Sequence, residues 1–114
     1  MSDIEDAVVE LVQPGGVTFV EVEWLLERHG IPTEGGWSID LPGNIKVWPN
    51  MSKQFCDLIY DLLDAKRIEL TNAHPLLYVA DGAIPQLPIA QRPPKAGYKE
   101  LHWAPALIGA GPTG

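Results

Sequence analysis

The chain has 114 residues, 46% of them apolar, and a formal net charge of -7 at pH 7. That length supports one hydrophobic core and little of a second, and no apolar run is long enough to cross a bilayer. The charge is uneven, -8 over residues 1–41, -1 over 42–81 and +2 over 82–114; an acidic front half repels phosphate backbones and disfavours nucleic acid as a partner.

The first turn is acidic (Asp3, Glu5, Asp6), unlike the basic start of a secretory leader, and a lone Cys56 leaves no intrachain disulfide. Both features give the expectation of a cytoplasmic protein. Ser2-Asp3-Ile4-Glu5 reads as a capping box, opening a short helix with Ile4, Val8, Leu11 and Val12 on one face, which Pro14-Gly15-Gly16 stops. Val17 is expected as a token strand. A second capping box, Thr18-Phe19-Val20-Glu21, opens a helix with Val22, Leu25, Leu26 and His29 on one side, closed by Gly30 and Pro32.

After the flexible stretch Thr33 to Gly36, Trp37, Ile39 and Leu41 alternate with Ser38 and Asp40 as a strand. Leu41-Pro42-Gly43-Asn44 places Pro and Gly for a type II turn, and Ile45 and Val47 return as a second strand. Type II twist suits a hairpin poorly, so a bulge or a wider loop is expected here. The clearest helix follows. From Ser52 onward, Phe55, Leu58, Ile59, Leu62 and Leu63 fall at helical spacing, with Asn50 or Ser52 as cap and Lys66 and Arg67 at the carbonyl end. Its other face carries Lys53, Gln54, Asp57, Asp61 and Asp64.

Ile68 and Leu70 then read as a strand, Asn72-Ala73-His74-Pro75 as a turn, and Leu76 to Ala80 as a returning strand that is apolar on both faces and therefore needs cover. Residues 82–114 hold five glycines and six prolines, yet also Ile84, Leu87, Ile89, Tyr98, Leu101, Trp103, Leu107 and Ile108. So much apolar surface marks an extended arm packed on the core or on a partner, with only the last residues free.

The order helix, short strand, helix, helix, hairpin over residues 2–81 resembles a winged helix-turn-helix domain, carried chiefly by Gly15-Gly16-Val17-Thr18-Phe19, the Ser52 helix and the Ile68 to Val79 hairpin as wing. The expected fold is α+β: a three-helix winged-helix-like core in residues 1–82 with a β-hairpin wing, an extra hairpin between helices 2 and 3, and an extended Pro/Gly-rich C-terminal arm over 83–114. The resemblance implies a DNA-reading third helix beside the wing. Here that helix face holds Asp57, Asp61 and Asp64, and the wing tip has no Lys or Arg. A scaffold turned to protein contacts fits these charges better.

No catalytic constellation is legible, so no enzyme activity and no cofactor is expected. Cys56 sits in the first turn of its helix, where a dipole lowers a thiol pKa, but no base is placed beside it, and a buried thiol is the plainer reading. Asp57, Asp61 and Asp64 line one helix side and could share a hard cation; without loop carbonyls a solvated face is the commoner outcome, and no metal is expected. His29, His74 and His102 lack zinc spacing. Arg92-Pro93-Pro94-Lys95 is a short basic segment that reads first as a stiff spacer.

The expected role is thus a small non-enzymatic protein-interaction or regulatory module, of a kind common among phage and mobile-element products. Its contacts with a protein partner, or with a second copy through the arm, fall to Trp24, Trp48, Asp57, Asp61, Asp64 and Trp103, of which Trp24 and Trp48 lie off their apolar stripes and are expected to be partly exposed. The alternative is a winged-helix DNA-binding regulator using Lys53, Gln54, His74, Arg92, Lys95 and Lys99. No membrane association is expected.

Overall fold

Helix α3 (Lys53–Asp64) is the central element, and its amphipathic spacing is what buries it. Phe55, Cys56, Leu58, Ile59 and Leu62 are buried, and each large apolar side chain removed from water contributes about 1.5–3 kcal/mol. Ser52 is its N-cap, the hydroxyl accepting from the Phe55 N–H at 3.0 Å and donating to the Pro32 carbonyl at 2.7 Å. In the computed structural model, which describes residues 3–90 and 94–113, α3 is accompanied by three further helices and two small sheets and packs chiefly on strands that precede and follow it in the chain. The protein is α+β, as expected, and no helix among the described residues is long and apolar enough to cross a membrane.

Helices α1 (Asp3–Val12) and α2 (Phe19–Arg28) form where the sequence places them. The Ser2 end of the first capping box lies outside the described residues. The second box is complete: the Glu21 N–H donates to the Thr18 hydroxyl, and the Thr18 N–H to the Glu21 carboxylate at 2.8 Å. His29, expected on the apolar side, is instead the exposed C-cap, and Gly30 follows with φ +73°.

The extra hairpin is present as strands β1 (Glu34–Leu41) and β2 (Ile45–Met51), joined by a three-residue loop in which Gly43 and Asn44 both take positive φ. Its register slips. Between the pairs Ile39↔Trp48 and Asp40↔Lys46 the second strand carries one extra residue, a bulge that lets neighbouring Val47 and Trp48 both turn inward.

The wing hairpin does not form. Strand β3 (Ile68–Asn72) is followed by a short helix α4 (Pro75–Ala80) where a returning strand was expected, and the antiparallel partner of β3 is β5 (Ala106–Ala110), from the C-terminal segment. His74 and Pro75 explain the helix: His74 Nδ1 accepts from the Leu76 N–H at 3.1 Å as N-cap, and proline is suited to N1, where no N–H is needed. The arm packs on its own chain. Strand β4 (His102–Trp103) pairs in parallel with β2, Val17 bridges Ile108, and Trp103, Ala106 and Ile108 join the main core. The final described residues are not free ends either, because the Gly111 and Thr113 N–H groups donate to the Arg67 and Lys66 carbonyls, in the turn that follows α3.

The elements meet at an aromatic cluster. Trp48 stacks on Phe19 with centroids 5.8 Å apart, and lies 5.1 Å from Tyr78 and 6.4 Å from Trp103. The Tyr78 hydroxyl, fully buried, accepts from the Phe19 N–H at 3.2 Å and donates to the Ala106 carbonyl at 2.6 Å, tying α2, α4 and β5 together. Tyr78→Phe leaves a buried donor and acceptor unpaired and is expected to cost roughly 1–3 kcal/mol in urea denaturation; a change below about 0.5 kcal/mol would mean the hydroxyl is not a structural tie.

Candidate functional site

Helix α2 turns Val22, Leu25 and Leu26 inward, which leaves Glu23 and Glu27, four residues apart, on another side. Glu34, at the start of β1, joins them in lining a cleft of about 690 Å³, to which Pro49, Ala83, Ile84 and Pro85 add apolar lining. Trp48 lines it too. It is only 5% exposed, and its indole N–H donates to Glu23 Oε2 at 3.0 Å. The aromatic cluster thus presents one polar edge to the cleft, and that edge holds a carboxylate in place.

Among the described residues no Lys, Arg or His lines this cleft. Burial pushes the Glu23 carboxyl above its ordinary value, the Trp48 hydrogen bond opposes the shift, and the charges of Glu27 and Glu34 add to it. Thr33, only 7% exposed, also lines the cleft, and its hydroxyl has no hydrogen-bond partner among the described residues. Since no buried side-chain polar atom among them is enclosed without a partner, that hydroxyl is not fully enclosed, on a residue that lines the cleft.

Beside the cleft, α4 shows solvent an apolar surface. Tyr78 alone of its large side chains is buried; Leu76, Leu77 and Val79 are exposed, as is Ile84 just beyond. Ile84 belongs to both features, since it also lines the cleft. The chain thus passes within a few residues from the exposed apolar side chains of α4 to the lining of an acidic hollow.

The residues expected to make protein contacts divide. Trp24 is 45% exposed, and Asp57, Asp61 and Asp64 are exposed on α3. Trp48 and Trp103 are buried, contrary to expectation for Trp48, because the bulge in β2 turns it inward; Trp103 is held by its indole N–H donating to the Val47 carbonyl at 3.1 Å. Trp37 is the exposed tryptophan in their stead, with the Lys53 ammonium 5.6 Å from its ring centroid.

The residues of the nucleic-acid alternative stand on separate elements. Lys53 is paired with Asp57 at 2.7 Å, Gln54 is exposed beside it, His74 caps α4, and Lys95 and Lys99 lie on the loop before β4. Arg92 falls outside the described residues. Cys56 is buried, its Sγ 3.6 Å from the Ser38 carbonyl, and burial, with Asp57 and Asp40 nearby, pushes its thiol pKa up, the reverse of an activated nucleophile. Among the described residues no group of three or more His, Cys, Asp or Glu side chains is arranged to hold a metal ion, so Asp57, Asp61 and Asp64 do not converge.

Sequence reasoning missed Glu23, Glu27, Thr33 and Glu34. The available signal was the pair of glutamates four apart on α2 with no basic residue at either flanking helical position. Compared with known proteins, the chain matches no family model, no curated protein and no solved structure.

The raised Glu23 pKa sets a pH dependence. Above the ordinary value of 4.5 the folded state retains a proton that the unfolded state has lost, so this group makes stability fall as pH rises through that window. Glu23→Gln, which keeps an acceptor for Trp48, is expected to remove that fall and to gain on the parent between about pH 4 and pH 7 in urea midpoints. An equal difference at both pH values would contradict the assignment.

Proposed function

We propose that the chain is a non-enzymatic protein-interaction module whose contact surface is the apolar strip of α4 together with the acidic cleft beside it. The observation that carries this reading is the exposure of Leu76, Leu77, Val79 and Ile84 within nine residues of chain. Several large apolar side chains exposed so close together in the chain mark contact sites more often than isolated ones do. Trp24 and Trp37 supply further exposed aromatic area of the kind that anchors interfaces.

In this reading α1, α2 and α3 act as a winged-helix-like scaffold given over to protein contact. The acidic face of α3 steers a basic partner, and adds to rate of encounter more than to affinity. A DNA-binding regulator has no specific observation in its favour: Lys53 is already neutralised by Asp57, and His74 spends its Nδ1 on capping α4.

A photo-crosslinking side chain placed at Val79, in the cells that make the protein, is expected to give discrete protein adducts, and Leu76→Asp to reduce their yield on the order of tenfold. The same side chain at exposed Glu69 serves as the control. Equal adduct patterns at the two positions, or none at Val79, would overturn the reading.

A further inference from the structure

The cleft is a hollow of about 690 Å³ lined by three carboxylates and, among the described residues, by no cationic side chain. One of them, Glu23, has Oε2 fixed by the Trp48 indole, and its Oε1 has no partner among the described residues. Acidic surface residues on helices usually gain partial compensation from a lysine or arginine one turn away, as Asp57 does from Lys53. Here no such compensation is found among the described residues, although one of the carboxylates is partly removed from water.

The remaining groups narrow what would enter. Thr33, a nearly buried residue of the cleft lining, has a hydroxyl that is not fully enclosed and has no protein partner among the described residues, a second polar site that a donor can satisfy. The wall of Pro49, Ala83, Ile84 and Pro85 is apolar and suits the methylene stem of a long side chain. A bare metal ion would leave that wall unused, whereas a planar guanidinium has enough donors to reach Glu23 Oε1, a second carboxylate and the Thr33 hydroxyl together.

We propose that this cleft receives an arginine or lysine side chain presented by a protein partner, with the cationic head between Glu23, Glu27 and Glu34 and the stem along Ile84 and Pro85. The proposal rests on the protein-interaction reading. The exposed apolar residues of α4 support a protein source over a free polyamine, since the chain leads from them within a few residues to Ile84 in the cleft lining and a small hydrophilic amine would make no use of them. Such a segment would lay apolar residues on α4 and drop its basic residue into the cleft.

The test is a titration of the full chain with N-acetyl-arginine amide, read by heteronuclear NMR at the Trp48 indole N–H and the Thr33 and Glu34 amides. Saturable shifts at these three signals are expected, with half-saturation on the order of 10 mM for a single side chain without its neighbours. Glu27→Gln combined with Glu34→Gln, both at exposed positions, is expected to weaken binding about tenfold, and Thr33→Val about threefold. Absence of a shift at the Trp48 indole, or shifts of equal size at Asp61 and Asp64, would overturn the proposal. Spermidine is the competing probe: binding about tenfold tighter than the arginine amide would assign the cleft to a free polyamine and overturn the protein source. A failed titration with the Val79 adducts intact removes the cleft alone; lost adducts with a successful titration remove the α4 surface instead.

Discussion

The buried hydroxyl of Tyr78 is the tie on which the arrangement of this protein depends. By accepting from the first turn of α2 and donating to the first residue of β5, it joins segments 59 and 28 residues away in sequence. Its ring meets Trp103 edge to face at 5.1 Å, and aromatic pairs of that geometry add about 0.5–1.5 kcal/mol beyond the area they bury. Because one side of α4 is committed to this contact, a helix of only six residues must show its other large side chains to water. The exposed strip is a direct consequence of how α4 is anchored.

The cleft follows from the same cluster. Trp48 is drawn inward by the bulge in β2 and by stacking on Phe19, and its only polar atom needs a partner at the cluster's edge. Glu23 supplies it, at the cost of partial burial beside two like charges. A carboxylate positioned by a core tryptophan is a rigid feature, and rigidity is what a recognition site gains most from. Other contacts tighten the frame: Gly43 and Gly97 approach so closely that a Cβ on Gly97 would lie 2.5 Å from the Gly43 Cα, and the Tyr98 N–H donates to the Gly43 carbonyl at 2.9 Å.

Much of the chain was legible before its fold was known. The stripe Phe55, Leu58, Ile59, Leu62, the Thr18 capping box and the hairpin around Pro42-Gly43 all follow from local periodicity and capping, which depend on near neighbours. Leu76 to Ala80 was misread because a five-residue apolar run has no period that separates strand from buried helix, and the cue lay in His74-Pro75, which serves equally as a turn and as a helix start. The partner of β3 was hidden because Ala106–Ala110 sits between Pro105 and Gly111-Pro112 and pairs across more than thirty residues. The cleft was out of reach for the same reason: Glu23, Thr33, Trp48 and Ile84 come together only through tertiary packing.

If the aromatic cluster makes residues 102–110 part of one cooperative core, native-state amide hydrogen exchange will show it most directly. The Ile108 N–H, which donates to the Val17 carbonyl at 2.8 Å, should exchange only through the same global opening as Ile59 in the middle of α3, the two opening free energies agreeing within about 0.5 kcal/mol. Exchange of Ile108 through an opening several kcal/mol below that of Ile59 would mean that the C-terminal strand detaches by itself, and the account of α4 and the cleft as fixtures of a single core would fall with it.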